Sequence, residues 1–136
     1  KYKKYTEINA LNSYIPNKWH EAKYLLQKMH FIDENNNLTC SGKVASLMCD
    51  GYPLVRAIKI TCNDFKTLSF NEIVAWLGIF AWTSNLEDND DSLTPIDSVI
   101  EYTSYMMMEI YNKELIQPNL KVNIIYDWII NKNIVL

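Results

Sequence analysis

The stretch SGKVASLMCDGYPLVRAIK, residues 41–59, decides how the remainder of the 136-residue chain is read. It packs a Gly-Lys pair, a cysteine and an Asp-Gly-Tyr-Pro break into one short segment. A phosphate-binding loop, half a metal site and a turn between two helices all use such residues, and they predict different proteins. The phosphate loop fails: it needs an earlier glycine, a preceding strand and Ser or Thr after the lysine, whereas Val44 follows Lys43. The metal site fails because Cys40, Cys49 and Cys62 include no C-x-x-C pair, and His20 and His30 form no H-x-x-x-H. A bend between helices remains. Ser41 is placed to cap a helix carrying Val44, Leu47 and Met48, and Asp50-Gly51 ends it. Pro53 then opens a second helix on which Leu54, Ala57, Ile58 and Thr61 align.

Working outward, the same helical spacing recurs. Pro16 precedes Trp19, Ala22, Lys23, Leu26 and Met29, a stripe predicting a helix to about His30, with a weaker helix from Tyr5 to Tyr14 before it. Between residues 31 and 40 the polar run ENNN, flanked by short apolar pieces, predicts at most a small hairpin. Ser69 and Glu72 match the reciprocal capping pattern, and the apolar run 73–82 behind them predicts a central buried helix. Thr94-Pro95 starts a helix with Ile96, Val99, Ile100, Thr103, Met107 and Ile110 on its stripe. Val122, Ile125, Tyr126 and Ile129 give a last one, ending near Asn131. The expected architecture is all-α, a bundle of six or seven helices in one domain, 1–136.

Composition sets the outer limits. Apolar residues make up 49% and charged residues 21%, which is globular rather than disordered. The longest apolar run is about half of the ~20 residues that span a bilayer, so no membrane partner is expected. The net charge of −3 hides an asymmetry. Residues 1–66 hold ten Lys/Arg against six Asp/Glu, and residues 67–136 hold three against ten. Attraction of the whole chain to nucleic acid is thereby excluded, but a basic face in the first half is not. Fifteen Asn, sixteen Ile and twelve Lys beside a lone Arg are what an AT-rich coding sequence imposes, in a microbe or a large DNA virus. The opening Lys1-Tyr2-Lys3-Lys4 suggests a piece of something longer.

No catalytic constellation survives this reading. DNDDS, from Asp88, lacks the glycine and the distal glutamate of a calcium loop, since Leu93 and Val99 stand there. Asn37-Leu38-Thr39 matches a glycosylation triplet of a kind common by chance. Cys49 and Cys62 lack a placed base and are expected to pack in or just beneath the core. Lys43, Arg56 and Lys59 lie off the apolar stripes; Arg56 and Lys59, three apart, share a helix face that can meet phosphates or simply face solvent.

The segments Phe31-Ile32-Asp33, residues 42–59 and residues 64–82 also carry a resemblance. Gly42-Lys43-Val44-Ala45, Leu54-Val55, residues 65–68, Ala75-Trp76-Leu77 and residues 80–82 fall in register with the C-terminal helical (DSHCT) domain of superkiller-type, exosome-associated DExH-box RNA helicases. VNIIYDWIINKN, residues 122–133, is similar to a later helix of that family. The resemblance covers about residues 23–131. It implies a domain without ATPase chemistry of its own, which packs against the helicase core domains and helps to enclose single-stranded RNA near the channel exit. ATP and magnesium would belong to the core of the parent, and the setting would be an intracellular, reducing one: nucleus, cytoplasm or viral factory. Lys43, Arg56 and Lys59 are then the candidates for RNA-backbone contact, and no residue is expected to hold a cofactor or metal. Leu47, Tyr52, Pro53 and Ile58 stand where the family usually has acids, and Lys43 replaces its arginine. The chain also ends before the region of the family's ratchet-like helix. The alternative expectation is a protein-interaction module that kept the bundle and lost the RNA contacts.

Overall fold

Thr39 rather than Ser41 starts the helix inside the opening stretch. In the computed structural model, which describes residues 2–62, 64–81, 85–87 and 92–132, the Thr39 hydroxyl accepts the Gly42 N–H at 3.2 Å and donates to the His30 carbonyl at 2.6 Å. A side-chain oxygen three residues ahead of the N–H it binds is the usual N-terminal cap. The cap therefore moves two residues upstream of the expected one.

Among the described residues there are six α-helices: α1 (Tyr2–Lys28), α2 (Cys40–Ser46), α3 (Pro53–Thr61), α4 (Phe70–Ala81), α5 (Asp97–Tyr111) and α6 (Pro118–Asn131), with a 3-10 turn at Asp64–Thr67. The all-α expectation holds. Among the described residues the only pairing between extended segments is an isolated antiparallel bridge, Ile32 to Leu38. Trp82, to which the apolar run extends, and residues 88–91 of the acidic run lie outside the described residues. The chain forms two compact units, Lys1–Lys43 and Val44–Leu136, with α2 lying across the boundary.

In the first unit, α1 runs unbroken through Pro16, where the sequence predicted a new start. An interior proline removes one N–H bond and crowds the preceding turn, yet α1 stays helical through it. After it, Asp33 organises a tight turn: its carboxylate accepts the N–H groups of Asn35 and Asn37, each at 2.8 Å. Asn36 takes the left-handed backbone that asparagine tolerates. The Gly-Lys pair now has a plain explanation. A Cβ on Gly42 would run into the Phe31 carbonyl oxygen, so glycine is required where α2 crosses that backbone.

The second unit holds the core. Ala75, Trp76 and Ile79 of α4 meet Ile96 just before α5, Ile100 of α5 and Val122 of α6, all buried. Phe65 and Phe80 pack edge-on to the Trp76 ring at 5.2 and 5.1 Å. The indole N–H donates to the Thr103 hydroxyl at 3.0 Å, and Thr103 donates to the Val99 carbonyl at 2.6 Å. That chain of bonds lets a threonine and a tryptophan be fully buried without an unmet donor. Both arms of the capping box at α4 form: Ser69 N–H to the Glu72 carboxylate at 2.7 Å and Glu72 N–H to the Ser69 hydroxyl at 3.3 Å. Within the unit α4 packs most extensively on α6, and α3 on α5. Leu77, expected in the core, is instead 40% exposed.

Candidate functional site

The bend at Asp50-Gly51-Tyr52-Pro53 gathers polar and aromatic groups of the second unit. Gly51 and Tyr52 both take left-handed backbone, φ 65° and 57°, which reverses the chain within two residues before Pro53 opens α3. From the first turn of α3, Arg56 reaches back over Gly51. Its Nη2 donates to the Asp50 carbonyl, and the Asp50 carboxylate lies 3.9 Å away. The Asp50 side chain is 97% exposed, so that ion pair is loose and screened. The Arg56 Nε is buried and has no acceptor.

Tyrosines close the other side. The Leu54 N–H, left over at the start of α3, donates to the Tyr111 hydroxyl at 3.1 Å, and the Tyr52 and Tyr111 rings meet edge to face at 5.0 Å. Burial raises the Tyr111 hydroxyl above its ordinary value, against the opposite pull of the Leu54 N–H and Arg56. Lys113 places its ammonium 5.6 Å from the centre of the Tyr52 ring. An open groove of about 590 Å³ lies beside the bend, lined by Asp50, Gly51, Tyr52, Arg56, Leu77, Phe80 and Ala81. A smaller cavity of about 70 Å³, between Tyr52, Phe80, Glu114 and Lys121, lies next to it. Lys121 is 1% exposed, and burial pushes its ammonium below the ordinary lysine value.

The three cations singled out in the sequence have different fates. Lys43 is exposed on α2, in the first unit. Arg56 is turned toward Asp50. Lys59 is 5% exposed, with its ammonium 4.6 Å from the centre of the Tyr102 ring on α5. The shared face of Arg56 and Lys59 therefore points into the second unit rather than into solvent. Sequence reasoning missed Tyr111, Lys113 and Lys121. Their signal was weak, because the first two reach the bend only through the packing of the α5 end against α3, and a lysine in a helix is read as solvated.

Among the described residues no group of three His, Cys, Asp or Glu side chains is arranged to hold a metal. All three cysteines are free and exposed, against the expectation that Cys49 and Cys62 pack inside: Cys49 lies just before the bend and Cys62 just past the end of α3. No described helix is long and apolar enough to cross a membrane. Compared with protein-family models and with curated proteins, the chain matches none.

Proposed function

We propose that this chain is a non-catalytic helical accessory domain of a DExH-box RNA helicase, and that it works through protein contacts more than through RNA. The observation that carries the second part is the direction of the cations. Lys59 is 5% exposed with its ammonium over the Tyr102 ring, and Arg56 lies over its own backbone, while Phe70, Leu77, Tyr105, Trp128 and Ile130 are 40% exposed or more. The second unit also holds six Lys/Arg against twelve Asp/Glu, which repels a polyanion. The helicase assignment is supported by the resemblance of residues 42–59 and 64–82, whose helix, bend, helix and capped helix fall in the order it implies. Two measurements test the parts separately. The reading frame upstream of Lys1 carries a Gly-Lys-Thr loop and an Asp-Glu-x-His box if the helicase assignment is right, and lacks them if it is wrong. The immobilised chain retains that helicase core, yet shows no saturable binding of a labelled single-stranded RNA at ~10 µM and physiological salt. Tight RNA binding would overturn the preference for protein contacts.

The RNA-guiding reading keeps one specific support. Lys43 is exposed in a unit that holds seven Lys/Arg against four Asp/Glu. On that reading Lys43→Glu weakens RNA binding by the intact protein and lowers its salt slope by about one.

A further inference from the structure

Gly51 follows Asp50, and no other glycine of the chain follows an aspartate or asparagine: Ser41 precedes Gly42 and Leu77 precedes Gly78. An aspartate carboxyl stands where one new bond to the nitrogen of the next residue closes a succinimide ring. A glycine in that next position leaves the nitrogen with no Cβ beside it.

The bend leaves both partners of this ring closure available. The Asp50 side chain is 97% exposed, and the Arg56 Nη2 stands 3.9 Å from its carboxylate, beyond hydrogen-bond length. Among the described residues nothing accepts the Gly51 N–H. Asp50 lies after the end of α2 and before the start of α3, so no helical ladder holds its backbone against the rotation that the ring requires. Other aspartates are held. Asp33 accepts the Asn35 and Asn37 N–H groups, Asp97 accepts the Thr94 N–H and hydroxyl at 2.8 and 2.7 Å, and Asp127 lies inside α6. Arg56 adds a push of its own. Its Nη2 donates to the carbonyl of the same peptide group whose nitrogen must attack, and a cation there polarises that amide and loosens its proton.

We propose that Asp50 converts to isoaspartate without an enzyme, and that Arg56 holds the carboxylate so formed. The Gly51 nitrogen bonds to Cγ of Asp50, and the carboxyl hydroxyl leaves as water with the amide proton. Water then adds to the main-chain carbonyl carbon of Asp50, the bond from that carbon to the Gly51 nitrogen breaks, and the nitrogen regains a proton. No atom is gained or lost over the two steps, and neither oxidant nor reductant takes part. The chain now runs through Cβ and Cγ, and the former carbonyl beside Arg56 is a carboxylate. A charge-assisted bond thus replaces a neutral one, whereas the carboxylate given up was exposed and loosely paired. Opening at Cγ instead regenerates aspartate, so Arg56 sets the balance between two products of one ring. The added main-chain carbon falls just ahead of Tyr52, in the wall of the groove. The reaction is internal to the bend and needs only water, so it does not depend on the helicase assignment.

The full chain, incubated for several weeks at neutral pH both folded and unfolded in guanidinium chloride, tests this. Peptide mapping with electron-transfer fragmentation registers the displaced main-chain carbon at unchanged mass, and far-UV circular dichroism verifies the fold. Isoaspartate is expected at residue 50, with a ratio to aspartate about fivefold higher in the folded chain than in the unfolded one. Arg56→Gln brings the folded ratio down to the unfolded value. If that variant loses the fold, Asp50→Asn supplies the comparison, because it enters the same ring with loss of ammonia and reports the product ratio folded and unfolded. A folded chain that keeps aspartate at residue 50 while the unfolded chain converts overturns the proposal, as does a ratio that is the same in both.

Discussion

Gly51 holds a φ of 65° with the Arg56 guanidinium behind it; a Cβ there would lie 3.2 Å from Cζ. Gly51→Ala is therefore expected to destabilise the second unit by about 1–2 kcal/mol, read from urea denaturation, because alanine resists left-handed backbone and Arg56 must shift. Asp33 supplies a pH effect in the first unit. The Asn37 N–H it accepts, together with the Asn37 side chain and the Asn35 N–H, holds its carboxyl below the ordinary value of 3.8. A group with its folded value depressed contributes stability above its unfolded value and loses it as the pH falls through the folded one. The turn is thus expected to weaken only below pH 3.8, and an NMR titration of Asp33 should show a midpoint under that value. Asp33→Asn, which cannot accept charge-assisted bonds, should remove this acid dependence.

Among the elements, α4 is the one whose start was fully legible. Ser69 and Glu72 form both bonds of the capping pattern. Ser69→Ala is expected to cost about 1 kcal/mol in chemical denaturation, and adding Glu72→Ala to cost less than the sum of the two single changes, because one box is lost once. α1 and α2 show where local signals mislead. Pro16 and Ser41 are both common at helix starts, but α1 already runs from Tyr2 and α2 starts at Cys40, capped by Thr39, whose hydroxyl ties it to the turn before it. That tie depends on a contact nine residues back and has no local signature. Leu77 shows the same limit on a helix apolar nearly all round: periodicity marks which residues share a face, but not which face is covered.

For the molecule as a whole, stability resides where α4, α5 and α6 converge on Trp76. Its ring is fully buried and touched by Phe65 and Phe80, with its N–H met by Thr103. Trp76→Ala is expected to cost about 3–5 kcal/mol, a large share of the stability of a domain this size, and to abolish a cooperative urea transition of the second unit. The all-α class, the bend at Gly51 and the capped α4 were determined by the sequence, because capping, proline placement and helical spacing are local. Which cations reach solvent was decided only by the tertiary structure. Lys59, Arg56 and Lys121 look alike in a helical pattern, but Lys59 is drawn over the Tyr102 ring, Arg56 over the Asp50 carbonyl, and Lys121 lies buried beside Tyr52 and Phe80.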